Sequence, residues 1–155
     1  MLLLSMTQKE FIQNVLIIEI EDIVNKHQYL SFGIITAGIE LLGILIESPK
    51  NSFWIRDKSS SRFNNAIGDL FPAEYHQYKK LLYEELRCGM NHAILPKANI
   101  ALSERKHGDK NLSYKNNQLV LVAEDFFEDY KKACEKVIDM LDKGTIKNRF
   151  SLNLV

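Results

Sequence analysis

The apolar stretch from Leu30 to Ile46, the longest in the chain, constrains the fold most. Its polar interruptions are Ser31, Thr36 and Glu40. The stretch falls short of the roughly 20 apolar residues that a helix needs to cross a bilayer. We therefore predict a buried core helix from about Tyr29 to Glu47. It should end before Pro49, because a residue that precedes a proline is disfavoured in helical geometry.

A first amphipathic helix is predicted from about Thr7 to Lys26. Thr7-Gln8-Lys9-Glu10 has the form of a capping box, in which threonine and glutamate side chains satisfy backbone amides at the start of a helix. Apolar residues then recur at helical spacing: Ile12, Val15, Leu16, Ile20 and Ile23.

Three more helices are predicted after the apolar stretch. A short one around Arg62 to Leu70 precedes Pro72, which suits the first turn of the next helix. That fourth helix should end before Pro96, and one apolar stripe runs along it: Tyr75, Tyr78, Leu82, Leu86 and Met90. The last helix should span roughly Glu124 to Lys143, with Gly144 as its C-terminal stop.

Strand-like residues occur between the fourth and last helices, at Asn99 to Ser103 and Gln118 to Val122. The polar segment that separates them is rich in turn-forming residues, so we predict a small β-hairpin inserted at about 98–122. A short C-terminal tail should follow at 145–155. A chain of 155 residues with 46% hydrophobic composition can form one core. We expect a single all-α domain over 1–155 that carries this insertion.

Composition narrows the function classes and the location. A formal net charge of zero argues against a protein that coats nucleic acid by charge alone, although a local basic site remains compatible. Cys88 and Cys134 lie far apart and have no paired spacing, so we expect neither a disulfide nor a metal site. The apolar N-terminus lacks the basic flank of an export signal. These features favour a cytoplasmic protein without a cofactor.

The segment Arg87-Cys88-Gly89-Met90-Asn91-His92 contains the most informative motif, an arginine and a histidine with four residues between them. An arginine neutralises phosphate at any pH, and a histidine both accepts and donates a proton near neutrality. Such a pair can break a phosphodiester without a metal ion. On an ideal helix, positions five apart are separated by about 140°, so Arg87 and His92 share a face only if the helix loosens. Gly89 makes local loosening plausible.

With helical patterns around it, the run from Leu82 to His92 resembles the HEPN superfamily of helical ribonucleases and their inactive relatives. The resemblance is specific in the fourth helix, which contains the motif. Elsewhere in the chain it consists only of the helical pattern. It implies a HEPN-like bundle of four to five helices in which Arg87 and His92 are catalytic. HEPN domains similar to this one usually build their site where two copies meet about a twofold axis. The resemblance therefore also implies a homodimer.

The predicted chemistry is cleavage of single-stranded RNA in the cleft between the two copies. His92 would act as general base or acid around attack by the 2′-hydroxyl, and Arg87 would stabilise charge on the phosphorane. The product would be a 2′,3′-cyclic phosphate. The chain departs from the commoner family pattern at Cys88, where a polar residue usually follows the arginine.

Two residues are predicted to support this pair. Glu40 lies amid apolar residues and would be costly to bury alone, so Arg87 is an attractive partner for it; HEPN proteins often carry a polar residue at the corresponding place. Alternatively, Glu40 reaches solvent and Arg87 pairs with Glu84 or Glu85. Asn91 would orient a phosphate or the imidazole, or it is simply exposed.

Two groups of basic residues are candidate RNA contacts. Arg105, Lys106 and Lys110 fall in the turn of the predicted hairpin, although turns are commonly polar without a function. Arg56 and Arg62 lie near Trp54, a combination of charge and aromatic surface that suits a stacked base.

Two alternatives to the ribonuclease remain open from the sequence. One is a non-catalytic HEPN module that binds RNA, a nucleotide or a partner protein in a bacterial defence or toxin–antitoxin setting. The other is a structural protein whose apolar second helix and last helix assemble an oligomer, which would make the spacing of Arg87 and His92 accidental. Neither alternative involves a membrane.

Overall fold

Helices account for most of residues 5–152, the part of the chain that the computed structural model describes. Within this part the five helices are α1 (8–26), α2 (Gln28–Ile46), α3 (Ser59–Leu70), α4 (79–93) and α5 (Ala123–Asp142). Short 3₁₀ segments lie at Arg56–Lys58, Ala73–Tyr78 and Arg105–His107. The mostly helical class is as predicted. The first four residues, part of the N-terminus for which we expect no export signal, lie outside the described residues.

The ends of the helices follow local sequence signals. Thr7 caps α1: its amide donates to Glu10 Oε2 at 2.8 Å and its hydroxyl accepts from the Glu10 amide, which confirms the capping box. Helix α3 begins at Ser59, before the predicted Arg62. Because Ala73–Tyr78 is 3₁₀, α4 begins at residue 79 and not at the predicted Pro72. Gly144, with a φ of 72°, follows the end of α5 as predicted.

Helices α1 and α4 contain π-helical stretches at Ile12–Glu19 and Leu82–Arg87. An α-helix turns once every 3.6 residues, so side chains four residues apart drift by about 40° around its axis. In the wider π turn the same spacing drifts in the opposite direction, so a π stretch followed by an α stretch keeps such side chains near one face. The buried side chains with this spacing are Ile12, Leu16, Ile20 and Val24 in α1 and Leu82, Leu86 and Met90 in α4. The second π stretch ends at Arg87.

Helix α2 lies at the centre of the fold and contacts the other four helices of the described chain. Its inward side is fully buried and includes Phe32, Ile35, Ile39, Leu42 and Leu45. The central position is therefore as predicted, but Leu30 and Ile34 on the outward side are exposed. By length and hydropathy, α2 also meets the criteria for a membrane span, as core helices of soluble proteins can, and half of its apolar window is buried in the fold.

Helices α2 and α3 approach closely at Gly43. A Cβ atom at this position would lie 2.0 Å from the carbonyl oxygen of Arg62, which is backbone and cannot rotate away. We expect Gly43→Ala to lower the free energy of unfolding by about 1–3 kcal/mol, because overpacking forces the backbone to shift. Urea unfolding would measure the change.

Gly68→Ala is the matched control for Gly43→Ala. Gly68 also lies in a helix, and a Cβ atom there would meet nothing within 4 Å. Alanine favours a helix by about 1 kcal/mol over glycine, so this variant should be as stable as the native protein or more so. Equal effects of the two substitutions would contradict the close packing of α2 on α3.

The segment between α4 and α5 forms a three-stranded sheet instead of the predicted single hairpin. Strand β2 (Ile100–Ser103) pairs in parallel with β4 (Gln118–Val122), and β3 (Tyr114–Lys115) pairs with β4 in antiparallel orientation. The hairpin therefore joins β3 to β4, through Asn116 and Asn117 with φ of 51° and 61°. Residues 104–117 are long enough to carry the crossover that a parallel pair requires.

The C-terminal tail is part of the fold. After α5 the chain turns back, and β5 (Ser151–Leu152) pairs with β1 (Met6–Thr7) in antiparallel orientation. The Phe150 ring packs edge-on against Phe11, with 5.4 Å between centroids. The prediction treated 145–155 only as a short tail, whereas the described residues 145–152 of this segment cover α1 and the end of α2.

Candidate functional site

Arg87 on α4 and Glu40 on α2 form an ion pair. Arg87 Nε donates to Glu40 Oε2 at 2.8 Å, and Nη2 lies 2.7 Å from the same oxygen. The other carboxylate oxygen accepts a hydrogen bond from the hydroxyl of Ser59, the first residue of α3. Each charged side chain is 17% exposed. The structure therefore shows the pairing of Glu40 with Arg87 that the sequence left as one alternative.

The two glutamates just before the motif have other partners. Glu84 lies 3.8 Å from Lys80, and Glu85 accepts hydrogen bonds from the backbone and side-chain amides of Asn99 at 2.9 and 2.7 Å. The alternative in which Arg87 pairs with Glu84 or Glu85 is therefore wrong.

The surroundings of Arg87 keep its guanidinium charged. Partial burial alone would lower its pKa, but the Glu40 carboxylate, with smaller contributions from Tyr83 and Cys88, outweighs this effect, and the net pKa is raised. The guanidinium also lies over the Tyr83 ring, 5.4 Å from its centroid, as in a cation–π contact. Glu40 engages Nε and Nη2, two of the three nitrogens that carry the five N–H donors of an arginine.

A groove of about 590 Å³ lies beside this ion pair. Helices α2 and α4 contribute its polar residues Glu40, Arg87 and Asn91, and α2 also contributes apolar residues. The N-terminal part of α1, the loop after α2 and the C-terminal tail contribute four aromatic residues, Phe11, Phe53, Trp54 and Phe150, together with Arg149. The groove therefore combines the motif arginine with an aromatic lining.

The structure brings Asn91 to Arg87 but does not bring His92. Asn91 lies four residues after Arg87, about 40° away around the helix, and lines the same groove. His92, about 140° away, is exposed in the last turn of α4 and is not among the residues that line the groove. The helical separation expected from the sequence is therefore present.

Gly89 serves close packing and does not loosen the helix. It is buried within the α-helical part of α4, and a Cβ atom there would lie 2.3 Å from the Leu95 carbonyl oxygen. The chain after α4 folds back over this glycine, and the Leu95 amide donates to the Gly89 carbonyl. The proposal that Gly89 lets Arg87 and His92 converge within one chain is wrong.

A second charged cluster, Arg62–Glu47–Arg149, adjoins the groove, which Arg149 lines. Arg62 Nε donates to Glu47 Oε1 at 3.0 Å, and Arg149 Nη1 lies 3.2 Å from the same oxygen. The side chains of Arg62, Glu47 and Arg149 are 4%, 11% and 6% exposed. Burial would raise the pKa of Glu47, but hydrogen bonds from both arginines, the charge of Arg62 and a contribution from Asn51 together lower it. The cluster carries one net positive charge.

This cluster holds the aromatic lining of the groove in place. Arg62 donates to the carbonyl oxygens of Phe53 and Ser52 at 2.9 and 2.8 Å. Arg149 donates to the carbonyl oxygens of Ile44, at 2.7 Å, and Asn51. These bonds tie the loop after α2 to the C-terminal tail, so that Phe53 and Phe150 meet with 5.9 Å between their centroids.

Arg62 has a different role from the RNA contact that the sequence predicts for Trp54, Arg56 and Arg62. Its guanidinium is committed to Glu47 and to backbone carbonyls, and the residue is only 3% exposed, so it cannot reach RNA. Arg56 is exposed, and Trp54 is 85% exposed at the edge of the groove. Trp54 is thus the member of this group that lines the same groove as Arg87.

The basic residues of the 104–117 segment lie elsewhere. Arg105 Nε donates to Asp125 at 3.1 Å, its Nη2 donates to Glu128 at 2.9 Å, and Lys106 pairs with Glu104. Lys110 lines a separate depression together with carboxylates of α5. None of these three cations lines the Arg87 groove, and carboxylates offset their charge.

A metal site and a reactive cysteine are the two other kinds of site that the described residues can be searched for. Within 5–152, no group of three or more histidine, cysteine, aspartate or glutamate side chains is arranged to hold a metal ion. Cys88 and Cys134 are both free thiols. Burial raises the pKa of Cys134 to about 12, so this thiol is not a nucleophile at neutral pH.

Comparisons of the chain with protein-family models, with curated proteins and with solved structures found no match. The function is therefore argued from the motif and from the geometry of the groove.

Proposed function

We propose that this protein is a metal-independent endoribonuclease of HEPN type, which cleaves single-stranded RNA at a cleft between two copies of the chain. The observation that carries the proposal is the Arg87 guanidinium, fixed by Glu40 at the side of an open groove. An arginine held in this way can stabilise charge on a phosphorane without reorganising during the reaction. The HEPN-like bundle and a cytoplasmic location belong to the same proposal.

The cleavage step uses the 2′-hydroxyl of the RNA as nucleophile. A histidine removes the hydroxyl proton as the oxygen attacks the adjacent phosphorus, and the 5′-oxygen of the next nucleotide leaves and takes up a proton. The products are a 2′,3′-cyclic phosphate and a 5′-hydroxyl. Since His92 does not line the groove of its own chain, the proposal assigns this role to His92 of the second copy.

An apolar face beside the groove supports the dimer. Leu30, Ile34, Ala37 and Leu41 follow one another at spacings of four, three and four residues, which places them in one stripe along α2. Ala37 and Leu41 of this stripe also line the groove. The exposed Ile94 lies alongside, because the Tyr29 hydroxyl donates to its carbonyl oxygen. Monomeric proteins seldom expose large contiguous apolar patches, so this face suits a twofold interface.

A second candidate function is a non-catalytic HEPN module that binds RNA, a nucleotide or a partner protein, as in defence or toxin–antitoxin systems. The observation that favours it is the position of His92 outside the Arg87 groove. Such a module would keep the groove and have no use for the histidine.

Cleavage of mixed-sequence single-stranded RNA in the presence of EDTA tests the proposal. The wild-type protein should generate fragments that end in 2′,3′-cyclic phosphate, and a variant that carries both Arg87→Ala and His92→Ala should not. No cleavage by the wild type above a mock purification, across several salt and pH conditions, would favour the binding module instead.

A further inference from the structure

We propose that the groove beside Arg87 binds one unstacked base of single-stranded RNA, with the phosphate of that nucleotide held by Arg87 and Asn91. This inference rests on the proposed function and specifies how the same site takes its substrate. It predicts that a free nucleotide, without the rest of the RNA strand, binds in the groove.

The shape of the groove suits one nucleotide. Its volume of about 590 Å³ falls within the range of roughly 300–1,000 Å³ that is common for small-molecule sites. Arg87 and Asn91 line it together with four aromatic rings. A nucleotide needs both kinds of contact, because its phosphate is charged and its base is flat.

The exposed ring of Trp54 points to stacking as the mode of recognition. It packs against Phe53 with 4.8 Å between centroids and an interplanar angle of 57°, yet it remains 85% exposed. Proteins that bind single strands stack unpaired bases on such aromatic platforms. Bases inside a duplex are already stacked on one another and cannot reach this ring.

The charge of the groove favours an anion. Glu40 and Arg87 neutralise each other, whereas the Arg62–Glu47–Arg149 cluster retains one positive charge. Arg149 lines the groove, so this charge lies close to the space that the nucleotide would occupy. Salt screens a buried charge less than an exposed one, so this charge adds to the positive potential of the groove even though its hydrogen-bond donors are occupied.

Trp54 fluorescence gives a direct test, since this is the only tryptophan of the chain. Adenosine 3′-monophosphate should quench the emission in a saturable way, and adenosine should bind at least about 10-fold more weakly because it lacks the phosphate. Inorganic phosphate alone should leave the emission nearly unchanged. Arg87→Gln should raise the apparent Kd for the nucleotide by about 10-fold or more.

Three variants sharpen this test. Lys26→Gln removes another cation that is paired with a carboxylate, Asp22; neither residue lines the groove, so the Kd should be unchanged. Asn91→Asp changes an exposed side chain and should weaken binding by charge repulsion, even if Arg87→Gln perturbs the fold. His92→Ala should lower the cleavage rate by at least about 100-fold and preserve binding, so a failure of catalysis can be distinguished from a failure of this inference.

Several outcomes would overturn the inference. One is the absence of saturable quenching by the nucleotide. Another is equal affinity for adenosine and its 3′-monophosphate, which would remove Arg87 and Asn91 from recognition. A third is emission that changes with protein concentration and not with nucleotide, which would show that a second copy of the chain fills the groove.

Discussion

Arg87→Ala and His92→Ala should each lower the rate of RNA cleavage by at least about 100-fold. General acid–base catalysis by a positioned side chain typically contributes ~10²–10⁴-fold, which sets the expected loss for His92→Ala. Removal of a single donor that stabilises a developing oxyanion costs a comparable ~10²–10³-fold, which sets the loss for Arg87→Ala. Initial rates on single-stranded RNA in EDTA, at matched protein concentration, would measure both effects.

The two variants need different controls. His92 is exposed, so His92→Ala should leave the fold intact, and His27→Ala removes another exposed histidine that has no assigned role. Arg87→Ala leaves Glu40 without its partner at 17% exposure, so its thermal unfolding must be measured alongside activity. A folded His92→Ala variant that retained wild-type cleavage would exclude the histidine from the reaction.

Glu47→Gln should lower the free energy of unfolding by about 3–5 kcal/mol. Glu47 is the single carboxylate between the buried side chains of Arg62 and Arg149. Removal of one member of a buried ion pair is strongly destabilising, because it leaves an uncompensated charge in a region of low dielectric constant. Here the substitution would leave two such charges. Urea unfolding at neutral pH would give the difference from the native protein.

An exposed ion pair provides the matched control for Glu47→Gln. Glu21 lies 3.3 Å from Lys131, and the two side chains are 44% and 37% exposed. Exposed pairs contribute only about 0–1 kcal/mol, so Glu21→Gln should have a small effect. A loss of stability no larger for Glu47→Gln than for Glu21→Gln would contradict the structural role of the buried cluster.

The stability contributed by Glu47 should decrease as the pH becomes acidic. Its pKa is lower in the folded than in the unfolded protein, because hydrogen bonds from the two arginines, the charge of Arg62 and a contribution from Asn51 together outweigh the effect of burial. The contribution is therefore complete above the unfolded pKa of about 4.3 and is lost as the pH falls through the folded pKa. The difference between the native protein and Glu47→Gln should shrink over this acidic range.

Periodicity was sufficient to predict the helices, because burial of one face of a helix leaves a repeating apolar pattern. It could not predict the π stretches in α1 and α4, because the spacing of four in Leu82, Leu86 and Met90 is also typical of an ordinary α-helix. The parallel pairing of β2 with β4 was also missed, since strand composition does not encode direction. The Asn116-Asn117 turn was the local signal for the true hairpin.

The sequence predicts the part of the candidate site in which a charged residue lies among apolar ones. Glu40 amid apolar residues required a partner, and Arg87 is that partner. Arg62 was misread as a surface residue, because its position in the sequence does not show that Glu47 lies against it. Arg149 and Phe150 were missed altogether, since nothing local in the tail shows that it returns to the groove.

The most direct test of the central claim, that Arg87 of one copy works with His92 of another, is to mix the Arg87→Ala and His92→Ala proteins and measure RNA cleavage. Random subunit exchange would make half of the dimers mixed, each with one intact site of two, so roughly a quarter of the wild-type activity should return. If exchange is verified and no activity returns while the wild type cleaves RNA, the two residues do not combine across an interface.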